Sequence, residues 1–229
     1  MNASKARARQ RRGGRSQGLP LFPIAIGAIV LLGIVAIVLT VSGSDGGTGK
    51  STETRPVTVS GELLPAVPQQ QGTPDPAIGK TAPTLAGENF AGEAVTIKND
   101  GRPKVIAFVA HWCPHCQKEV PRLSDYFKKT GMPAGVDFYF VSTSVDPGKN
   151  NYPPSSWLKR EKVDNVPTIV DDAKSKALIA FGGGGFPFLN FIDKNGKVVL
   201  RTEGELPDGA YDQYFNALAK GQPLTAAGG

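Results

Sequence analysis

The sequence predicts an α/β domain, in which a mixed sheet is flanked by helices, behind a single membrane-spanning helix. Two observations predict this organisation. An uncharged apolar stretch near the N-terminus is long enough to cross a bilayer. From about residue 78 onward, short apolar runs alternate with segments of helical periodicity, over a length that can bury one substantial core. We therefore expect a membrane anchor, a tether and one folded domain.

The N-terminal region is predicted to anchor the chain in a cell membrane. Residues 1–18 form a basic segment with six Lys and Arg residues and no acid, and residues 19–41 are uncharged and apolar. About 20 apolar residues are needed to span a bilayer, so residues 19–41 predict one transmembrane helix in contact with lipid. The positive-inside rule then places the N-terminus in the cytoplasm and the folded domain in an extracytoplasmic compartment.

Two alternatives concern this region. A cleaved signal peptide would have an apolar core of about 7–15 residues and an A-x-A-like cleavage site, and neither matches well here. A basic protein also raises the question of a nucleic-acid partner. However, the six charges of residues 1–18 equal the whole net charge of +6, so the remaining chain is close to neutral. The charge is therefore interpreted as a topology signal, and no nucleic-acid partner is predicted.

Residues 42–77 are predicted to be a flexible linker. They are rich in Gly, Ser, Thr, Pro and Gln and show no sustained periodicity. The β-branched run at 57–60 favours a short strand, to which the sequence assigns no place. The folded domain is predicted over residues 78–222, followed by a disordered tail over 223–229.

The elements of the domain follow from runs of β-branched and aromatic residues, which predict strands, and from apolar residues at helical spacing. Strands are predicted at 94–98, 104–110, 136–142 and 168–170, and helices at 113–129, 155–162, 172–181 and 208–220. A hairpin is predicted over 188–202, because Asn195-Gly196 suits a tight turn. Alternation of this kind indicates a sheet flanked by helices.

The only two cysteines of the chain form the motif Cys113-Pro114-His115-Cys116, between an apolar run and a helical segment. At a helix N-terminus, unpaired N–H groups and the helix dipole favour a thiolate. The pKa of Cys113 is therefore expected to fall from about 8.5 into the range of roughly 3.5–7.5. Pro114 and His115 are expected to tune this value. The motif predicts a redox pair in which Cys113 attacks a partner and the more buried Cys116 resolves the mixed disulfide.

Three other interpretations of the cysteines were compared with redox cycling. A structural disulfide across a two-residue gap closes almost no loop and would stabilise the domain little. Haem attachment needs a His after the second Cys, where this chain has Gln117. A metal site would combine both cysteines with His111 and His115, but tetrahedral sites usually take their ligands from two separated pairs. Redox cycling is favoured, no cofactor is predicted, and a metal-binding (copper) module remains the alternative function.

The motif in its context is similar to a known family. Residues 108–116, continued by 118–121, resemble the thioredoxin superfamily, in the TlpA/ResA-like group of extracytoplasmic thiol-disulfide oxidoreductases. The resemblance implies a thioredoxin-like fold, with Pro121 kinking the active-site helix. It also implies protein clients with disulfides or thiols, and recycling by a membrane electron donor or acceptor. Residues 78–83 are similar to the N-terminal extension of this group, and residues 152–172 look like its inserted strand and helix.

The resemblance also implies a role for the glycine run before Phe186-Pro187-Phe188. It implies that the Phe186-Pro187 bond is cis and packs beside the cysteine pair. Trp112, Phe186 and Phe188 would then form an apolar docking surface for clients. The glycines would let a client backbone approach Phe186. For Phe188 a place in the core is an equal alternative.

Two features set this chain apart from the superfamily pattern. Ala107 stands where thioredoxins carry a buried aspartate that moves protons to and from the second cysteine, which leaves Glu119 as a candidate for proton transfer. The relatives in this group mostly reduce client disulfides, whereas Cys-Pro-His-Cys is typical of oxidants. Because His115 should stabilise a thiolate, we predict a pair more oxidising than that of thioredoxin, without a fixed direction of electron flow.

Overall fold

The computed structural model describes residues 53–70 and 72–225. The predicted basic segment 1–18 and transmembrane helix 19–41 lie outside these residues. Within the described ranges, no helix has the length and apolar character needed to cross a membrane.

The described residues form strands and helices in the order that the sequence predicts, with one additional strand over 84–88. The elements are β1 (Thr58–Ser60), β2 (Thr84–Glu88), β3 (Ala94–Ile97), β4 (Lys104–Val109), α1 (Pro114–Thr130), β5 (Asp137–Ser142), α2 (Pro154–Arg160), β6 (Thr168–Val170), α3 (Lys176–Ala180), β7 (Phe188–Ile192), β8 (Val198–Glu203) and α4 (Ala210–Ala219).

A five-stranded mixed sheet with the order β6-β5-β4-β7-β8 carries the domain. β4, β5 and β6 are parallel, whereas β7 is antiparallel to β4 and to β8. The predicted mixed sheet flanked by helices is therefore confirmed. β4 lies at its centre and is buried along its whole length. Because side chains alternate along a strand, Val105 and Ala107 enter the core on one face and Ile106 and Phe108 enter the core on the other.

The helix after β4 begins at the cysteine motif. Cys113 is the N-cap residue of α1, and Pro114 occupies the start of the helix, where a missing N–H costs nothing. Pro121 lies inside the helix, at the position that the resemblance implies. Cys116, Val120 and Leu123 recur at helical spacing and are all fully buried, so this face of α1 packs onto the sheet.

The N-terminal part of the fold differs from the predicted linker over 42–77. β1 pairs with β2, which pairs with β3, and these strands form a second, antiparallel sheet. Val57, Leu64 and Ala77 are buried in the core. The carboxylate of Glu53 accepts hydrogen bonds from the backbone N–H and the hydroxyl of Ser155, at the start of α2. Residues 53–70 and 72–77 therefore belong to the folded unit.

Arg201 of β8 joins this N-terminal part to the main sheet. Its side chain is 0% exposed, and its guanidinium forms a bidentate ion pair with Asp75, with Nε to Oδ2 at 2.7 Å. Nη1 donates to the carbonyl oxygens of Pro65 at 2.9 Å and Phe181 at 2.7 Å. The guanidinium also lies over the ring of Phe188, 5.8 Å from its centroid. Composition alone predicts a linker for this N-terminal segment, because it does not reveal the contacts with Arg201, which lies 126 positions from Asp75 and 136 positions from Pro65.

The helix predicted over 172–181 is shorter in the structure and covers only Lys176–Ala180. Two carboxylates explain the difference. Asp172 accepts hydrogen bonds from the backbone N–H groups of Lys174 and Lys176, which closes a turn before the helix. The buried Asp171 accepts from the N–H groups of Ala177 and Leu178, which are the first donors of the helix.

The predicted tail 223–229 is described only as far as residue 225. Leu224 is partly buried and packs against the main core cluster, so this residue belongs to the fold. The rest of the predicted tail lies outside the described residues.

Candidate active site

The two cysteines lie where β4 passes into α1. The N–H of Cys113 donates to the carbonyl oxygen of Ala110 at 3.0 Å, and its own carbonyl oxygen accepts from the N–H of Gln117 at 3.0 Å, which starts the helix. Both cysteines are free thiols in this structure. Cys113 is 6% exposed and Cys116 is 0% exposed. The pair is therefore asymmetric, because only Cys113 reaches the surface.

This asymmetry separates the acidities of the two thiols. The pKa of Cys113 falls from 9.0 to about 6, chiefly because the Cys116 thiol donates a hydrogen bond to its sulfur. The backbone N–H groups of Cys116 and His115 and the charge of His115 act in the same direction, and burial opposes them. Burial is the largest cause that raises the pKa of Cys116, followed by its hydrogen bond to Cys113. Cys113 is thus the more acidic and the more accessible of the two thiols.

The rate at which the reduced protein is alkylated by iodoacetamide is expected to rise through a midpoint near pH 6 and to level off above it. The reason is that the thiolate is the reactive species and Cys113 carries a pKa of about 6. Peptide mapping should find the label on Cys113 and not on Cys116. A midpoint near 8.5, the value of a free cysteine, would contradict the hydrogen-bonded thiolate.

The loop before β7 covers the sulfur of Cys113. The peptide bond between Phe186 and Pro187 is cis, in the configuration that the resemblance implies. The Cys113 thiol donates to the carbonyl oxygen of Phe186 across 3.6 Å. The rings of Trp112 and Phe186 meet edge to face, with centroids 5.9 Å apart, and the indole N–H donates to the carbonyl oxygen of Ser144 at 2.7 Å. Trp112 and Phe186 are half-buried beside Cys113.

Phe188 does not belong to this surface, because it is fully buried in the core formed with Phe108 and Phe181. Its register on β7 points it to the opposite face of the sheet from Leu189. The sequence left docking and core as equal alternatives, and the structure places Phe188 in the core.

Close packing leaves no room for a side chain at the first two positions of the glycine run 182–185. A Cβ on Gly182 would overlap the carbonyl oxygen of Pro65, and a Cβ on Gly183 would overlap the ring of Phe188. The N–H groups of Gly184 and Gly185 donate to one carboxylate oxygen of Glu203, at 3.1 and 2.8 Å. Sequence reasoning missed Glu203, since nothing local connects the end of β8 with this loop.

His111, a candidate metal ligand in the sequence, is buried and engaged with backbone groups. Its Nδ1 donates to the carbonyl oxygen of Asn150 at 2.7 Å, and its Nε2 accepts from the N–H of Asp146 at 3.2 Å. This pair of partners requires the neutral Nδ1–H tautomer. The imidazole therefore fixes the loop after β5 to the start of the active site. In the described part of the chain, no cluster of three or more His, Cys, Asp or Glu side chains could hold a metal ion.

Glu119 is fully buried one turn beyond Cys116, and not on a solvated face of the helix. Its carboxylate accepts from the hydroxyl of Tyr211 at 2.9 Å and from Nη1 of Arg122 at 3.0 Å. Burial raises the pKa of Glu119, and the two hydrogen-bond partners oppose that rise. Ala107 is also fully buried, and an alanine at this position supplies no titratable group.

His115 is largely exposed, with 61% of its side chain accessible, and its Nδ1 lies 2.8 Å from Oε1 of Glu205. Its charge favours the Cys113 thiolate, but this effect ranks below those of the Cys116 thiol and the backbone N–H groups. The sequence predicts that the helix N-terminus lowers the pKa of Cys113 and that the two residues between the cysteines tune it. In the structure, the Cys116 thiol contributes most, followed by the backbone N–H groups of the helix N-terminus.

Comparison with known proteins agrees with this geometry. The model of the Redoxin family matches residues 77–218. The thiol-disulfide oxidoreductase ResA of Bacillus anthracis is 28% identical over 143 residues, covering 62% of this chain and 78% of that protein. ResA of Bacillus subtilis (strain 168) is 24% identical over 145 residues, covering 63% of this chain and 77% of that protein.

A solved structure shows the same fold. A thiol:disulfide interchange protein of the thioredoxin family from Chlorobium tepidum TLS superposes with a TM-score of 0.50 at 20% identity, covering 61% of this chain and 95% of that one. Since the family model spans most of the domain, the chain belongs to the Redoxin family, and it is an oxidoreductase of the thioredoxin type.

Proposed function

We propose that this protein is an extracytoplasmic thiol-disulfide oxidoreductase that exchanges the Cys113–Cys116 pair with client proteins through a mixed disulfide at Cys113. The observation that carries this proposal is the asymmetry of the pair. Cys113 has a pKa of about 6, so it is mostly thiolate at neutral pH, while Cys116 is buried directly beneath it. An accessible nucleophile with a protected second thiol is what a two-step exchange needs.

In the reducing direction, the thiolate of Cys113 attacks one sulfur of a client disulfide. A new S–S bond forms, and the other client sulfur leaves as a thiolate that takes up a proton. Cys116 then loses its proton and attacks the sulfur of Cys113, which releases the first client sulfur. Two electrons pass to the client, and the Cys113–Cys116 disulfide remains. Oxidation of a client dithiol is the same sequence in reverse.

The second step requires a group that accepts the proton of Cys116, and we assign this role to Glu119. It is buried in the helix that carries Cys116, and its negative charge is among the causes that raise the pKa of that thiol. Burial also raises the pKa of Glu119 itself, which makes this carboxylate a stronger base than an exposed one. Because β4 has Ala107 where thioredoxins carry an aspartate, the carboxylate of Glu119 is proposed to perform the role of that aspartate from α1.

Clients are proposed to dock on the surface formed by Trp112, Phe186 and Pro187. Both aromatic rings are half-buried next to Cys113 and present an apolar edge to a client chain. The carbonyl oxygen of Phe186 accepts from Cys113 only while that residue is a thiol, so it lacks this donor once Cys113 ionises or joins a client. Backbone groups of this loop can then pair with an extended client segment.

The proposed location rests on the sequence. The basic residues 1–18 and the apolar residues 19–41 support a single-pass membrane protein with a cytoplasmic N-terminus and an extracytoplasmic catalytic domain. Such a protein exchanges electrons with a donor or acceptor in the same membrane. Having only two cysteines suits an oxidising compartment, because a further thiol would mispair with the active pair.

The reduction potential of the full-length protein, equilibrated with glutathione or dithiothreitol buffers, tests the proposal. We expect a reversible two-electron couple above the value of about −270 mV that is typical of thioredoxin, because the Cys113 thiolate is strongly stabilised. A value near −120 mV would assign the protein to the oxidants, and a value at or below −270 mV would assign it to the reductants. A pair that fails to interconvert would overturn the proposal in favour of metal binding.

Replacing His115 with alanine is expected to lower this potential by a small amount, on the order of 10 mV. The side chain is largely exposed, and its charge ranks last among the causes that favour the thiolate. The same titration, with both proteins in one set of buffers, measures the difference. A rise in potential on losing His115 would show that the imidazole disfavours the thiolate.

A further inference from the structure

A carboxylate from outside the active-site helix holds the imidazole of His115. Nδ1 of His115 lies 2.8 Å from Oε1 of Glu205, a residue of the loop between β8 and α4. Two cations of α1 also face this carboxylate, Lys118 at 3.4 Å and Arg122 at 4.0 Å. Glu205 is thus the point where the loop meets the charged groups around the cysteine motif.

The loop that carries Glu205 is itself fixed to α1. Arg122 donates to the carbonyl oxygen of Leu206 at 2.9 Å and to the carboxylate of Asp208 at 2.7 Å. The side chain of Glu205 is 27% exposed, compared with 100% for Asp208. The contacts of Arg122 with the loop therefore restrict where the carboxylate of Glu205 can lie.

We propose that Glu205 is a positioning residue that holds His115 in place beside Cys113, and thereby sets the reactivity of the Cys113 thiolate. This inference rests on the proposed thiol-disulfide exchange. The contact between Nδ1 and Oε1, at 2.8 Å, fixes the orientation of an imidazole that is otherwise largely exposed. The positive charge of His115 is among the causes that favour the Cys113 thiolate, so its position affects that thiolate.

Glu205 and His115 are expected to have opposite direct effects on the sulfur. The charge of Glu205 by itself would disfavour a thiolate, whereas the imidazolium that it supports favours one. His115 lies two positions after Cys113 in the first turn of α1, and its charge is among the causes that lower the pKa of Cys113. The indirect route through His115 is therefore the stronger one.

The experiment compares four full-length proteins: the unchanged chain, Glu205→Gln, His115→Ala and the double variant. Glutamine keeps an oxygen that can accept from Nδ1 and removes only the charge. The rate of Cys113 alkylation at pH 6, where the thiolate is half formed, is measured for each protein. Glu205→Gln is expected to lower this rate on the order of two-fold, since an ion pair with a largely exposed imidazole has a small effect. In the His115→Ala background the same substitution is expected to leave the rate unchanged or to raise it slightly, because only the direct effect of the Glu205 charge remains.

Asp208→Asn is the matched control, because it removes a carboxylate from the same loop without touching His115. It is expected to leave the alkylation rate unchanged. An equal loss of rate in Asp208→Asn, or an equal effect of Glu205→Gln with and without His115, would overturn the role of His115 as intermediary. A faster rate or no change in Glu205→Gln alone would overturn the proposal as well. Failure of the proposed exchange would instead appear as the loss of a reversible Cys113–Cys116 couple in the unchanged protein.

Discussion

Replacing Cys116 with alanine is expected to convert a transient mixed disulfide into a covalent complex that persists. Cys113 remains accessible and still attacks the client, because its place at the start of α1 and its backbone N–H contacts do not depend on the second sulfur. The step that releases the client is lost, since no second thiol lies within the core beneath Cys113.

The reduced variant is incubated with insulin, which carries accessible disulfides, and the products are separated on a non-reducing gel. A band that contains both proteins and disappears on reduction is expected to accumulate in Cys116→Ala and to be nearly absent in the unchanged protein. Cys113→Ala is the matched control and should form no adduct. An adduct in Cys113→Ala would mean that the buried thiol is the nucleophile, contrary to the exposure of the two residues.

Loss of Cys116 also removes the hydrogen bond that contributes most to the low pKa of Cys113. We therefore expect the adduct to form more slowly at pH 6 than at pH 8 in this variant. Running the same reaction at both pH values measures this dependence.

Replacing Arg201 with methionine is expected to reduce the free energy of unfolding by about 3 kcal/mol, a typical result of breaking a buried ion pair. The guanidinium is fully buried and pairs with Asp75, and its Nη1 donates hydrogen bonds to the carbonyl oxygens of Pro65 and Phe181. Methionine fills much of the volume but leaves these acceptors without a donor, which is the costly part of the change.

Urea unfolding curves, followed by far-UV circular dichroism, measure this loss. Arg102→Met is the matched control, because Arg102 pairs with Asp137 at 2.7 Å but 57% of its side chain is exposed. Its loss should reduce the free energy of unfolding much less, because a solvent-exposed ion pair contributes little to stability. Equal losses in the two variants would show that the buried position of Arg201 adds nothing to its contribution.

The centre of the fold could be predicted from the sequence because its signals are local. β4 is a continuous apolar run, and the helix that follows starts at the cysteine motif, so both were placed within one residue of their ends at this junction. The strand at Thr168–Val170 was predicted with the bounds that the structure has. In each case, the residues that decide the structure lie next to one another in the chain.

The remainder depends on contacts between distant residues, which one sequence does not reveal. Glu119 has the spacing of an exposed helical residue, and its burial is explained by Tyr211, which lies 92 positions away. Likewise, the partner of Asp75 is 126 positions away, and composition alone made that region look like a linker. The sequence also predicts a tuning role for His115, but it does not reveal that Glu205, 90 positions away, lies 2.8 Å from Nδ1 of this imidazole.

The contacts of Arg201 with Asp75 and Pro65 also determine where the enzyme can be truncated without changing its fold. A fragment that starts at residue 78 keeps both cysteines and every residue of the docking surface. It nevertheless lacks β1, the partner Asp75 and the carboxylate of Glu53 that Ser155 contacts. Redox values measured on such a fragment would describe a molecule whose β8 carries an unpaired buried cation near the glycine run that leads to Phe186. A soluble version intended to represent the native enzyme should therefore begin before Glu53.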